Sequence, residues 1–317
     1  MPAIPFHALV IGLATYVPGL RHLTGRKTGG TGSARYCYSI WLRHLRMLNA
    51  GGLSTDPDVM VELGPGDSLG VGLAALLSGV NTYIGLDAYA YPTTADNLLV
   101  LDELIELFQM RASIGDQTEF PRVHPVLPTY DFPDHILSDK RLARSLSPAR
   151  IAAIREALIL SEKGRDRGGM ITYRAPWSLE MINPRSVDMV LSQGVMQFVH
   201  DLPGVYRGIT DWLKPGGVMS HEIALQSIGL TREWNGHWAC SEFEWRIAAG
   251  RRRHVTNRQP HSTHLRLMTE GGCKIVTDQR AVRPSCIARS QLAARFSHLS
   301  DEDLETSSAL IQGVKIA

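Results

Sequence analysis

The spacing of hydrophobic and polar positions changes near Asp58, and this change separates two groups of predicted elements. Before it, apolar side chains recur at helical intervals: Tyr38, Trp41, Leu42, Leu45 and Leu48. This periodicity predicts an amphipathic helix that ends at Gly51. From Asp58 onward, short apolar runs alternate with helical patterns, which predicts a mostly parallel sheet covered on both faces. We therefore predict an N-terminal helical cap at 1–57 and an α/β domain at 58–317.

The strands and helices of the second group follow from its apolar runs. The predicted strands are 59–61, 82–86, 170–173, 187–191, 218–223, 274–276 and 309–316. The predicted helices are 71–77, 96–108, 148–160, 205–213 and 264–269. Two stretches exceed what this alternation needs, and we predict a helical insertion at about 91–169 and a substrate lid at about 224–260. Both follow the carboxyl ends of strands, where doubly wound proteins bind ligands.

Composition and charge narrow the class of protein. The net charge of +2 favours neither a nucleic-acid partner nor an acidic one. The four cysteines are widely spread, as in a reduced intracellular protein. The apolar segment 5–20 is too short to span a bilayer and makes a poor signal peptide, so we expect a cytoplasmic protein without stable membrane insertion. The histidines are irregularly spaced and lack paired carboxylates, so no metal is predicted.

A glycine-rich loop follows the first predicted strand and opens a helix. Its sequence is Glu62-Leu63-Gly64-Pro65-Gly66-Asp67-Ser68. Glycines let a backbone approach a ligand closely, and the helix N-terminus faces that ligand. A dinucleotide loop would have a third glycine where Leu69 stands, and Gly70 falls one residue late. Asp87 ends the next strand, where a carboxylate can accept hydrogen bonds from both hydroxyls of a ribose.

Together with 187–192 and the turn Lys214-Pro215-Gly216-Gly217, these motifs resemble the class I S-adenosylmethionine-dependent methyltransferases. The resemblance covers most of 58–223. It implies a doubly wound, seven-stranded, mostly parallel Rossmann-like sheet and S-adenosylmethionine as methyl donor. It also implies a set of donor-binding residues, namely Glu62, Gly64, Gly66, Asp67 and Ser68 for the methionine end, Asp87 and Ala88 for the ribose, Ala175 and Trp177 for adenine, and Ser192 and Gln193 beneath the sulfur.

Candidate catalytic residues come from the segments around the fourth and fifth strands. His200 lies just past the fourth strand, and His221 and Glu222 lie in the fifth. A histidine titrates near neutrality, which suits a general base for a hydroxyl acceptor. A structural histidine bonded to the backbone is the alternative for both His200 and His221.

The segment after the fifth strand is unusual in composition. It contains six candidate substrate-binding residues: Trp234, Asn235, His237, Trp238, Asn257 and Arg258. Aromatic faces with amide, imidazole and guanidinium donors suit a polar, ring-shaped ligand such as a sugar. The segment also resembles a subgroup of methyltransferases of bacterial surface-polysaccharide or secondary metabolism. The alternative is a lid whose tryptophans pack on the core.

The sequence therefore predicts a methyltransferase that acts on an oxygen atom of a small polar acceptor, either a sugar or a secondary metabolite. Three alternatives remain open: a small-molecule N-methyltransferase, an NAD-dependent oxidoreductase, and a non-catalytic protein that keeps the cofactor fold. The expected partner is a small molecule rather than a nucleic acid, and a homodimer is left open.

Overall fold

The computed structural model describes residues 4–17, 30–162 and 169–316. Parts of the predicted regions lie outside these residues: 1–3 and 18–29 of the helical cap, 163–168 of the insertion, and Ala317 at the end of the α/β domain.

The described residues form one seven-stranded sheet of order β3-β2-β1-β4-β5-β7-β6. Its strands are β1 (Val59–Leu63), β2 (Thr82–Leu86), β3 (Ile171–Arg174), β4 (Val187–Gln193), β5 (Leu213–Ala224), β6 (Cys273–Val282) and β7 (Thr306–Lys315). Strands β1 to β5 are parallel to one another, and β7 runs antiparallel to both β5 and β6. The predicted doubly wound, mostly parallel sheet of the class I methyltransferase fold is confirmed.

Ten α-helices are described: α1 (Phe6–Ala14), α2 (Ala34–Ala50), α3 (Gly70–Leu77), α4 (Thr94–Gln109), α5 (Asp139–Ser145), α6 (Pro148–Glu162), α7 (Leu202–Trp212), α8 (Glu242–Ala249), α9 (His261–Glu270) and α10 (Asp301–Glu305). Within the described residues, no helix is both long and apolar enough to cross a bilayer.

Helix α2 packs in the hydrophobic core on one face of the sheet. One cluster of buried side chains joins its Tyr38 and Trp41 to α3, α4 and residues of β1 such as Met60. A second cluster covers the opposite face with α7 and α9. The predicted boundary after residue 57 therefore does not separate two cores, because the apolar stripe of α2 faces the sheet directly.

Two strands, β6 and β5, are longer than their apolar runs predict. β6 extends to Val282 and pairs with β7 along nearly its whole length. The polar residues within it have backbone partners in the ladder, so the strand continues where the hydrophobic pattern stops. β5 likewise begins at Leu213, before the turn at Lys214–Gly217 that was predicted to precede it.

Candidate functional site

The glycine-rich loop joins β1 to α3 at the carboxyl edge of the sheet. Gly64 and Gly66 adopt φ values of +68° and +78°, a region that residues with a Cβ rarely enter. A Cβ at Gly64 would stand 2.6 Å from a methyl group of Val195, which follows β4. The Gly64 backbone therefore lies directly against the loop after β4, and both positions require glycine.

The backbone N–H groups at the start of α3 already have protein partners. Asp67 donates to Thr31 Oγ1 over 2.8 Å, and Leu69 donates to Asn97 Oδ1 over 2.8 Å. Gly70 donates to Ser68 Oγ, and the Ser68 hydroxyl in turn donates to the carbonyl of Thr31. Much of the N–H array that a pyrophosphate group would need is thus occupied.

Two carboxyl groups flank this loop. Glu62 is buried and accepts a hydrogen bond from the Tyr83 hydroxyl over 2.7 Å, and burial raises its pKa to about 8. Asp87 accepts from the backbone N–H of Gly66 over 3.2 Å. Burial raises the pKa of Asp87, and the N–H groups of Gly66 and Tyr89 lower it in part. Asp87 therefore lies beside the loop at the end of β2, as its predicted ribose role requires, while Ala88 is exposed.

Glu222 lies near the carboxyl end of β5, beside the neighbouring strand β4. Its side chain is 5% exposed, and burial raises its pKa to about 8. Gln193 Nε2 donates to Glu222 Oε2 over 3.2 Å, and the N–H of Gly194 partly offsets the rise in pKa. The Gly194 N–H is itself bonded to the main-chain carbonyl of Glu222, so among the described residues Gln193 alone hydrogen-bonds to the carboxylate, which can accept about four such bonds. Acceptor capacity is therefore left over.

A chain of hydrogen bonds holds Gln193 in place. Gln312 Nε2 lies 2.8 Å from Ser220 Oγ, which lies 2.6 Å from His44 Nδ1. His44 Nε2 lies 3.0 Å from Gln193 Oε1. Since Gln193 Oε1 can only accept, His44 carries its proton on Nε2, and its Nδ1 accepts from Ser220. This orientation directs the Gln193 amide N–H toward Glu222.

The imidazole of His44 is neutral within this chain of hydrogen bonds. It is fully buried in α2, and burial lowers its pKa to about 4. A charged imidazole would donate from Nδ1 as well, and the Ser220 hydroxyl would then lose the acceptor for its own proton. The chain links α2 to three strands, and it includes His44, Ser220 and Gln312, which the sequence did not single out.

Tyr36, at the start of α2, is a further residue that the sequence did not single out for function. It is half-buried, and its ring lies edge-on to Phe120 with centroids 5.7 Å apart. Burial raises the pKa of Tyr36, and the negative charges of Glu222 and Glu62 raise it further. Tyr36 is therefore within electrostatic reach of both buried carboxyl groups. The signal available in the sequence was the Gly-Thr-Gly-Ser turn that precedes the helix.

His221 faces the opposite side of the sheet from Glu222, because side chains alternate along a strand. Its Nδ1 lies 2.8 Å from Ser192 Oγ, and its ring packs edge-on to Tyr206 with centroids 5.9 Å apart. Burial lowers its pKa to about 3, and its Nε2 has no hydrogen-bond partner among the residues that the structure describes. A fully buried imidazole below the sheet does not suit the predicted general base. The same contact directs the Ser192 hydroxyl to His221, while Ser192 itself lies at the end of β4, and its place beneath the sulfur stays a prediction.

The remaining predicted donor and catalytic residues lie in loops at the same edge. Ala175 contributes to a cavity of about 380 Å³ that also contacts Leu69 and Asn97 beside the glycine-rich loop. Trp177 packs edge-on to Trp212 with centroids 5.8 Å apart, so its ring belongs to the core beside α7. His200 is exposed in the loop after β4.

Aromatic rings from three loops meet beside Asp87. His254 lies edge-on to Phe198 with ring centroids 5.4 Å apart, and its Nε2 is 3.3 Å from the hydroxyl of Tyr91. Tyr89 completes the group, with the Arg253 guanidinium 4.7 Å from its ring centroid. Burial lowers the pKa of His254, and the charge of Asp87 offsets this in part. The backbone N–H of Tyr89 donates to Asp87 Oδ1 over 3.4 Å, which places the cluster beside Asp87. The sequence did not predict this cluster, because its members are far apart along the chain.

The six predicted substrate-binding residues do not line a site. Trp234, Asn235, His237, Trp238 and Arg258 are each 7% exposed or less. Trp238 Nε1 donates to the carbonyl of Arg258 over 3.0 Å, and Asn235 Nδ2 donates to that of Leu304 over 3.1 Å. Arg258 pairs with Glu242 at 2.5 Å. Trp234 and Trp238 also pack edge-on to each other with ring centroids 6.5 Å apart, which favours the alternative of tryptophans packed on the core.

Asn257, the sixth of these residues, has a structural role at the edge of the sheet. Its Nδ2 donates to the carbonyls of Met196 and Val199 over 2.9 and 2.8 Å. It thereby fixes the loop after β4 that covers Gly64. Among the described residues, no group of three or more histidine, cysteine or acidic side chains could hold a metal ion.

Comparison with known proteins gives no matching family and no matching curated protein. Among solved structures, the chain is similar to an S-adenosylmethionine-dependent methyltransferase from Mesorhizobium loti. Identity is 15% over 85% of this chain and 96% of that one, with a TM-score of 0.39. It is also similar to phosphoethanolamine N-methyltransferase 2 from Haemonchus contortus, at 14% identity over 95% of this chain and 61% of that one, with a TM-score of 0.45. These similarities are low in sequence and in structure, so the function proposed below rests on the chain's own residues.

Proposed function

We propose that this protein is an S-adenosylmethionine-dependent methyltransferase that methylates an oxygen atom of a small polar acceptor. The observation that carries the proposal is the placement of Glu222. Its buried carboxyl group, with a pKa near 8, lies one strand away from the loop that covers Gly64. A proton acceptor and a candidate donor loop therefore share one edge of the sheet.

The donor loop fits S-adenosylmethionine better than a dinucleotide. Thr31, Asn97 and Ser68 occupy N–H groups that a pyrophosphate would require. The buried carboxyl of Glu62 would repel a phosphate when ionised, whereas it suits the ammonium group of a methionine moiety. Asp87 lies where it can accept from ribose hydroxyls. These contacts disfavour the alternative of an NAD-dependent oxidoreductase.

S-adenosylmethionine would supply an electrophilic methyl group on a positively charged sulfur. The protein's task is then to position the acceptor, exclude water and remove a proton from the acceptor hydroxyl. Glu222 receives that proton on its carboxylate, and Gln193 holds the carboxylate in place through the bond to Oε2. A pKa near 8 makes it a stronger base than an ordinary glutamate once it is ionised.

The acceptor is defined less sharply than the donor. The prediction of a sugar relied on six residues, and five of them are buried: Trp234, Asn235, His237, Trp238 and Arg258. Glu222 offers the acceptor a base, and the half-buried ring of Tyr36 is a candidate for an aromatic contact with it. We therefore propose a small hydroxylated acceptor and assign no ring type.

Calorimetric titration tests the donor half of this proposal. The protein should bind S-adenosylhomocysteine and should not bind NAD. Asp87→Ala should weaken S-adenosylhomocysteine binding by at least about tenfold, which corresponds to the loss of roughly 1.4 kcal/mol. Asp211→Ala, which removes an exposed carboxylate from α7, is the matched control and should leave affinity unchanged. Binding of NAD without S-adenosylhomocysteine would overturn the proposal.

The acceptor half is tested with a methyl-labelled donor and a panel of small alcohols, sugars and amines. Mass spectrometry of the labelled product distinguishes oxygen from nitrogen methylation. Labelling of hydroxylated compounds supports the proposal. Labelling of amines alone would instead establish the N-methyltransferase alternative.

A further inference from the structure

Helix α1 presents an unusual apolar surface to solvent. Phe6, Val10 and Leu13 are 79%, 47% and 55% exposed, at the i, i+4 and i+7 positions of one helix face. Val17, in the turn that follows, continues the stripe and is 50% exposed. Residues 4–17 contain no acidic side chain. Large apolar groups clustered in this way mark an interaction surface.

The opposite face of α1 is fixed against α8, so the exposed stripe has a defined direction. Gly12 crosses α8 so closely that a Cβ would stand 2.0 Å from the carbonyl oxygen of Ile247. Ala8 is buried in the same contact with Ala248. The stripe is therefore not free to rotate into the core.

Arginines lie at the end of this stripe. Arg251 N donates to Thr15 Oγ1 over 2.7 Å, and the Arg251 guanidinium lies 5.1 Å from the Tyr16 ring centroid. Arg251 and Arg253 are exposed, and neither forms an ion pair with a described residue. We call the set Phe6, Val10, Leu13, Val17, Arg251 and Arg253 the α1 surface.

We propose that the α1 surface adsorbs to anionic phospholipid bilayers. An apolar helix face that lies in the interfacial plane, with cations beside it, matches the chemistry of a lipid surface with negative headgroups. A second copy of the chain fits less well. In a two-fold interface centred on α1, residues 4–17 of the second copy would offer no acidic side chain to pair with Arg251 and Arg253.

This surface also lies close to the candidate site. Arg253 contacts Tyr89, and His254 contacts Phe198 and Tyr91 beside Asp87. Adsorption would therefore place one side of the site opening near the headgroups. The proposal does not depend on methyl transfer, and it can fail or succeed independently of it.

Vesicle sedimentation tests the proposal with the full chain. Vesicles of phosphatidylcholine containing phosphatidylglycerol should bind the protein at low salt, and vesicles of phosphatidylcholine alone should bind it much more weakly. High salt should weaken the binding, because screening removes the attraction to headgroups. The variant Phe6→Glu/Leu13→Glu should abolish binding. Leu99→Glu/Met110→Glu, at 65% and 68% exposed positions on or beside α4, is the matched control and should bind normally.

A charge variant gives an independent readout that leaves α1 intact. Arg251→Glu should lower vesicle binding by about fivefold or more, whereas Arg122→Glu, at another exposed site, should not. Absence of binding by the native chain would overturn the proposal, as would equal binding of the α1 variant and its control. A third result would also overturn the proposal: sedimentation velocity shows a dimer that Phe6→Glu/Leu13→Glu dissociates, and the native protein does not bind vesicles.

Discussion

Two regions of the molecule contain the same kinds of polar side chain and use them differently. Around Glu222, histidine, glutamine and serine form a chain whose last bond meets a carboxyl group at the edge of the sheet. Around Trp238, the polar groups end on backbone carbonyls inside the protein. Residue type does not distinguish the regions. The difference is where the hydrogen bonds lead: in the first region they end on a carboxyl group at the edge of the sheet, and in the second they end on main-chain carbonyls.

The largest expected effect separates the two regions by activity. Glu222→Gln keeps the shape of the side chain and removes the base, so turnover of a hydroxyl acceptor should fall by about 10²- to 10⁴-fold. Affinity for S-adenosylhomocysteine should be retained. Steady-state kinetics with the acceptor found by labelling checks this, with the exposed Glu305→Gln as control. Turnover within twofold of the native value would remove Glu222 as the base.

The second region should respond in stability. Trp238→Ala empties a fully buried site and should lower the free energy of unfolding by about 3–5 kcal/mol. Turnover per folded molecule should stay near native, because Trp238 does not face the edge. Denaturant titration and active-site counting measure the two quantities. The control is Phe243→Ala, at a 73% exposed position, which should change stability little. A turnover defect in folded Trp238→Ala protein would show that the region takes part in the reaction.

The pH dependence of stability sharpens the comparison further. Glu222 has a pKa near 8 when folded and an ordinary value of 4.5 when unfolded. Between these values the folded state binds more protons, so this group's contribution is fully present below pH 4.5 and is lost as pH rises through 8. As pH rises from 4.5 to 8, the free energy of unfolding of the native chain relative to Glu222→Gln should therefore fall, at most by roughly 1.4 kcal/mol per pH unit. Melting curves of both proteins at several pH values check this. A constant difference would contradict the raised pKa.

The smallest effect compares two buried neutral histidines. His44→Ala removes the partner that orients Gln193, and turnover should fall by about two- to tenfold through the loss of one hydrogen bond. The limb of the pH–rate profile near 8 should also shift, which a merely structural defect would not cause. His221→Asn lies below the sheet and should leave both unchanged. Equal effects of the two variants would mean that the faces of the sheet do not differ in function.

The sequence predicted the sheet and the glycine-rich loop because both are local patterns. Alternating apolar runs indicate strands, and Gly64 and Gly66 lie where the chain must take positive φ. It did not predict the hydrogen-bond chain, because His44 and Gln193 are 149 residues apart and meet only through packing. The prediction that Trp234 and Trp238 contact a substrate rested on composition, which does not reveal whether an aromatic side chain faces a ligand or the core. His221 and Glu222 are adjacent, and only the observed strand faces separate them.

Proton release during donor binding tests the central claim most directly, and it needs no acceptor. Titrations at pH 7.5 in buffers of different ionisation enthalpy count the protons released. Glu222 should be largely protonated there, and a positively charged sulfur nearby would lower its pKa. We expect S-adenosylmethionine to release more protons than S-adenosylhomocysteine, whose sulfur is uncharged. The variant Glu222→Gln should abolish this difference, whereas Glu62→Gln should retain it. Equal release with both ligands in the native chain would contradict the placement of Glu222 beside the donor.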